Sequence, residues 1–171
     1  MIPERKEAPI VICGFPGVGK TYFATYMNEH VGRNDIIDLE SSPFKAKDDY
    51  HPNLYCKEIE KAYTSHQYSY IFVSCHKQVR EYMQEHAIPY IIVMPRYEQG
   101  NDSWTETRNE YMKRYLSRGN SYAFIQKIYN NWEDWMIEML CHDPAPVIQL
   151  RRYSYIDEIF DYSYYPDVKS N

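Results

Sequence analysis

Ile10-Val11-Ile12-Cys13-Gly14-Phe15-Pro16-Gly17-Val18-Gly19-Lys20-Thr21 joins a β-branched apolar run to a glycine-rich turn and then to a helical pattern reaching about His30. The run reads as a fully buried strand, because none of its positions is polar. Residues Gly14 to Thr21 fit the pattern G-x-x-x-x-G-K-[ST], placed between a strand and a helix as that pattern requires. Glycines at 14, 17 and 19 let backbone N–H groups turn inward on an anion, and the helix start adds its positive dipole. In this reading Gly14, Gly17, Val18, Gly19, Lys20, Thr21 and Tyr22 surround the phosphates of a nucleoside triphosphate. Lys20 neutralises the β and γ oxygens, and Thr21 ligates magnesium.

Outward from the loop, short β-branched runs alternate with longer amphipathic ones, the pattern of an α/β fold with a parallel sheet. Strands are expected at Asp35 to Leu39, Tyr70 to Val73, Tyr90 to Met94 and Val147 to Leu150. Helices are expected over Pro52 to His66, with Leu54, Ile59, Ala62 and Tyr63 available for one face, and over Lys77 to His86. A charged helix from about Glu106 to Arg118 ends at Gly119, a left-handed cap. Ile125, Ile128, Trp132, Trp135 and Met139 then mark a long helix covering the sheet, and a last short helix starts near Ile156. The polar stretch from Tyr97 leads into the charged helix, so roughly residues 97–121 have the character of a lid.

The 171 residues suit one folding unit. An aromatic content of 16% with 19 tyrosines supplies a core, although the mean hydropathy of -0.68 describes a polar surface. A formal charge of -5 gives no general attraction to nucleic acid or an anionic membrane, so an anionic ligand needs a local basic site. Cysteines 13, 56, 75 and 141 stand singly, without zinc or redox spacing. No apolar run approaches bilayer length and the first residues are not signal-like, so a soluble cytoplasmic protein is expected, monomeric or homodimeric.

Chemistry gathers at the carboxyl ends of parallel strands. Asp38 and Glu40 lie there after the second strand; either is suited to hold magnesium, or its water, or to accept a proton, and a solvated strand end is the plainer reading. The third strand ends Ser74-Cys75-His76, without an acid. His76, Lys77 and Arg80 follow, and Arg80 has the planar fork to grip an acceptor phosphate. Arg114 and Arg118 share a helical face and are suited to clamp a transferring phosphoryl group, unless Glu110 holds Arg114 as a surface pair. Phe44, Tyr50 and Tyr55 are available to stack on a base. Arg151 or Arg152 is placed to lie over the donor's nucleobase, and Arg96 is a weaker basic candidate.

With those residues in hand, the chain resembles the P-loop nucleoside and nucleotide monophosphate kinases, especially small phage-encoded proteins described as adenylate kinase-like or deoxynucleotide kinase-like. The resemblance rests on the loop, on Asp38-Leu39-Glu40-Ser41-Ser42-Pro43-Phe44, on Ile71 to Arg80, and on Tyr111 to Asn120 with Phe124-Ile125 and Asn131-Trp132. It implies a three-layer fold with a five-stranded parallel sheet in the order 2-3-1-4-5, a lid carrying Arg114 and Arg118, and an acceptor pocket near Glu40, Phe44 and Arg80. It also implies transfer of the γ-phosphoryl group of ATP, with Mg2+, to a nucleoside monophosphate such as a deoxynucleotide. On that implication Lys20, Glu40, Arg114 and Arg118 are catalytic, Asp38, Glu40, Phe44, His76 and Arg80 bind the acceptor, Thr21 and Asp38 hold the metal, and Arg152 helps hold the donor. The chain departs from adenylate kinases in having no Asp-Gly-x-Pro-Arg segment after the third strand. Kinases for nucleosides, modified bases or other small acceptors remain open, as does an ATP-binding regulatory module.

Overall fold

The structure, a computed structural model, describes residues 8–44, 52–97 and 103–160. Its elements run β1 (Ile10–Gly14), α1 (Lys20–His30), β2 (Ile36–Asp38), α2 (Pro52–Ser65), β3 (Tyr70–Ser74), α3 (Lys77–Glu85), β4 (Tyr90–Pro95), α4 (Ser103–Ser117), α5 (Tyr122–Ile137) and β5 (Val147–Leu150). Short 3-10 turns occupy Ser42–Phe44 and Ile156–Ile159. All strand pairs are parallel and the order is β2-β3-β1-β4-β5, as the resemblance implies.

This order places the ligand edge. From β1 the chain crosses over to β2, whereas from β3 it crosses the other way to β4, so right-handed connections lay α1 and α3 on opposite faces. The crevice at the carboxyl ends of β1 and β3, where Gly14 pairs with Ser74, is therefore the point at which the winding reverses.

On the α1 face, Phe23 packs edge-on to Phe72 and stacks on Phe160 at 4.4 Å. The opposite layer buries Tyr55 and Ile59 of α2, Val79 and Met83 of α3, and Trp132 of α5. Trp132 meets Phe15 of the glycine loop edge-on at 5.4 Å, so the helix layer reaches the loop itself. Gly119 has φ 75 and closes α4, its N–H donating to Leu116 O while Asn120 N–H reaches back to Tyr115 O.

Several expectations shift by a residue or two. β2 is shorter than Asp35 to Leu39 and α4 begins at Ser103. On α2, Leu54 is 54% exposed, and Tyr55 and Cys56 take the inward positions beside Ile59 and Ala62. On α5, Met136 is fully buried whereas Trp135 is only half-buried. A π-helical turn over Glu138–His142 continues α5 and still brings Met139 into the core. Among the described residues no helix is long and apolar enough to cross a membrane.

Candidate functional site

The glycine loop has the backbone its sequence demands. Gly17 and Gly19 take φ 84 and 96, which side chains other than glycine rarely adopt, and a Cβ on Gly17 would stand 2.9 Å from Tyr115 Cε1. The N–H groups of Gly19, Lys20 and Thr21 have no acceptor among the described residues, so the start of α1 offers them to a ligand. Lys20 Nζ folds back over the loop to donate to Gly14 O at 2.8 Å. Burial lowers its pKa, and the nearby Arg118 charge lowers it further, so the ammonium is a cation held where an anion would stabilise it.

At the next residue, Thr21 Oγ1 donates to Asp38 Oδ2 at 2.6 Å, joining α1 to the end of β2. Burial raises the Asp38 pKa, against the opposing pull of the Thr21 hydrogen bond and Lys20. The other carboxylate oxygen, Oδ1, is buried with no hydrogen-bond partner. A hydroxyl, a carboxylate and an unpartnered carboxylate oxygen beside a phosphate loop are hard oxygen donors of the kind magnesium takes when substrate phosphates and water complete its shell. Among the described residues no cluster of three or more His, Cys, Asp or Glu could hold a metal by itself, so any ion here would depend on the phosphates. Glu40 is exposed at the rim of the same groove as Thr21 and Asp38.

Ser74, at the end of β3, was not singled out in the sequence. Its N–H donates to Tyr55 Oη at 2.9 Å, while its own Oγ is buried without a partner, next to the loop across the β1–β3 register. The one available signal was its place opposite Gly14, where many such sheets carry an acid. Tyr55 in turn donates to Leu39 O at 2.6 Å. Its ring is fully buried and its hydroxyl staples β2 to β3, which corrects the expectation that it stacks on a base.

The two lid arginines are not equivalent. Arg114 is 7% exposed and lies against the outside of the loop: Nη1 donates to Gly17 O at 3.1 Å, and Nη2 to Arg152 O at 2.7 Å, with Ser154 O also in reach. Its guanidinium sits over the rings of Tyr111 and Tyr155, at 4.3 and 4.1 Å. Tyr115 Oη donates to Pro16 O, and Ile156 N–H to Val18 O. The loop is thus gripped from behind by α4 and by the segment after β5. Arg114 cannot clamp a phosphoryl group from that position; it braces the glycine loop from behind, and Glu110 stands 3.9 Å from its Nε. From Ser103 onward the expected lid is this brace, and residues 98–102 lie outside the described residues. Arg118 is exposed, close enough to influence Lys20, and paired with no carboxylate among the described residues.

Arg80 corrects a second expectation. It is 2% exposed, Nε donates to Cys75 O at 3.1 Å, and its Nη atoms are ion-paired with Glu138 and Asp143. Burial opposes its charge, but the two carboxylates outweigh that and hold it firmly protonated. Four of its five N–H donors are committed to these partners and the side chain is buried, so its fork is not open to an acceptor phosphate. His76 is exposed at the cap position of α3. Arg152 pairs with Glu106 of α4, fastening the post-β5 segment. Tyr22 is 77% exposed and stacks on Tyr26 at 6.4 Å along α1. The Phe44 side chain and Tyr50 lie outside the described residues.

No protein-family description and no curated protein matches the chain. Among solved structures it is similar to a gluconokinase from Sinorhizobium meliloti 1021, at 15% identity over 91% of this chain and 89% of that one, with a TM-score of 0.47. The fold is shown by the chain itself: an α/β arrangement with a parallel β2-β3-β1-β4-β5 sheet and the glycine loop following its central strand.

Proposed function

We propose that this chain is a magnesium-dependent phosphotransferase that moves the γ-phosphoryl group of ATP to a small acceptor. The observation that carries the reading is the Thr21–Asp38 hydrogen bond of 2.6 Å at the mouth of a glycine loop whose Gly19, Lys20 and Thr21 amides have no acceptor among the described residues. In this reading the free amides and Lys20 bind the β and γ oxygens, Thr21 and Asp38 hold the ion, and Arg118 closes on the transferring group from the solvent side. Magnesium would neutralise charge on the phosphate oxygens. Behind the loop, the buried Arg114 cation adds a fixed positive field and keeps the amides aimed, so catalysis is by positioning and electrostatics.

The nucleoside monophosphate acceptor suggested by resemblance remains part of the proposal in one respect only. Its phosphate would have to be met by a cation at the rim, such as Arg118, because Arg80 is committed elsewhere. A second reading, an ATP-binding regulatory module without turnover, draws support from β3 ending in Ser74 instead of an acid.

Incubation of the purified protein with labelled ATP and magnesium against nucleotides, nucleosides and small metabolites distinguishes the two. Transfer to any acceptor, abolished by Lys20→Ala with circular dichroism unchanged, supports the kinase. Tight ATP binding with no product from any acceptor supports the module.

A further inference from the structure

Between α1 and the edge strand β2 runs a groove of about 290 Å³ that opens from the Thr21–Asp38 pair and continues past Thr25 to Asn28 and Ile36, with Glu40 at its rim. Its two buried, unpartnered side-chain atoms have one chemical character. Asn28 Nδ2 donates to Ile36 O at 3.1 Å, which fixes the amide so that Oδ1 is turned away from that carbonyl. This Oδ1 is buried and has no partner, and neither has Asp38 Oδ1. Both are acceptors only. Among the described residues no lysine, arginine or histidine lines the groove, and the Glu40 carboxylate adds a further acceptor.

A buried acceptor left without a donor is destabilising, so two in one groove call for a ligand that brings donors to both. The phosphate group of a monophosphate brings none, and its charge would face Asp38 and Glu40 with no cation among the described lining residues. We infer that this groove is the acceptor site of the phosphotransferase and that it selects an uncharged or cationic small molecule rich in hydroxyl or amino groups, with Asp38 Oδ1 and Asn28 Oδ1 as its two reading atoms.

The inference rests on the kinase reading and deepens it. The volume suits a molecule of monosaccharide size. One hydroxyl held at Asp38 stands beside the residues assigned to the metal and the phosphate loop, where transfer can occur. The acceptor oxygen forms the new bond to the γ phosphorus, the bond from that phosphorus to its bridging oxygen breaks with the electron pair remaining on ADP, and the hydroxyl proton is released to water. Asn28, two helical turns along α1 from Thr21, holds the far end of the molecule.

Saturation-transfer NMR on the full chain, with a panel of ribose, myo-inositol, glucosamine, four nucleosides and their monophosphates, tests this directly. Two variants accompany the wild type: Asn28→Ala removes the far acceptor, and Thr25→Leu fills the groove from an exposed position without breaking an internal bond. Members of the uncharged or cationic set are expected to bind, to become substrates with labelled ATP, and to lose about tenfold in affinity in both variants. Monophosphates that bind better than their nucleosides, binding indifferent to both variants, or a panel with no uncharged or cationic binder would each overturn the inference. Calorimetry of ATP with magnesium on the wild type stands apart from these outcomes. No nucleotide uptake would sink the kinase reading whatever the groove binds.

Discussion

Arg114 donates to the carbonyl of Gly17 at 3.1 Å from beneath the glycine loop, so a buried cation and the proposed anion site lie on opposite sides of one strip of backbone. The same guanidinium reaches Arg152 O and Ser154 O, which ties the loop to the segment after β5.

Arg114→Ala is therefore expected to act first on stability. It removes the donors from three carbonyls and the cation from between Tyr111 and Tyr155, a loss of about 2 to 4 kcal/mol. Arg114→Lys should recover little, because an ammonium cannot reach the spread of acceptors that a planar fork spans. Urea unfolding measures the cost. At temperatures where the variant is still folded, a raised KM for ATP exceeding any fall in kcat would identify the bracing role, whereas an unchanged KM with a collapsed kcat would return Arg114 to the reacting phosphate.

Asp38 is expected to cost stability for the sake of function. Its pKa is raised in the folded chain, chiefly by burial, so the folded state favours the protonated form and ionisation at neutral pH works against folding. Asp38→Asn should melt above the wild type at pH 7. The difference should shrink as pH falls through the raised Asp38 titration, and vanish below the ordinary carboxylate range, where the wild type is neutral as well. With ATP and magnesium present the order should reverse, because only the wild type gains from binding. Differential scanning calorimetry across pH, with and without ligand, reads both signs. A variant that melts below the wild type at pH 7 without ligand would contradict the account.

What the sequence disclosed and what it hid divide along a physical line. The loop was legible because phosphate binding by backbone needs glycines at fixed local positions, and the sheet because buried parallel strands are continuous apolar runs. Asp38 was legible as the polar end of such a run. Arg80 and Arg114 were misjudged because a charged residue on a helix looks the same whether it faces water or a buried partner. The partners, Glu138 and Asp143 for one and three backbone carbonyls for the other, are 38 to 97 residues away. Asn28 belongs to no motif at all, and its unpartnered oxygen exists only because β2 lies alongside α1. The inward turn of Met136 in place of Trp135 likewise shows how a tertiary fit shifts a helical face by one position.

Arg80→Met should unfold at lower denaturant by about 3 to 5 kcal/mol, since it strands the Glu138 and Asp143 carboxylates, the latter 2% exposed. Adding Glu138→Gln and Asp143→Asn to that variant should restore part of the loss, because no unpaired buried charge then remains. Turnover per folded molecule should stay close to that of the parent. An unfolding midpoint unchanged by Arg80→Met, with KM for the acceptor sharply raised, would reinstate Arg80 as a ligand-binding residue.

Arg118 is the counterpart of Arg114 on the open side. It is one helical turn further along, past the end of α4, and the Gly119 cap holds that end in place. Two cations near each other, with Lys20 depressed in part by Arg118, repel unless an anion lies between them, so triphosphate binding should relieve that repulsion. Removing Arg118 should leave the fold alone: stability within about 0.5 kcal/mol of the wild type, as for other exposed substitutions. Its effect should fall on catalysis, with kcat/KM reduced by about 10²- to 10³-fold in Arg118→Ala, the scale of a lost donor to a transferring group. Arg118→Lys should recover part of this, since charge without the fork still serves. Steady-state kinetics beside a melting curve checks both halves. Full activity in Arg118→Ala would mean that the loop amides and Lys20 carry the γ-phosphoryl charge alone.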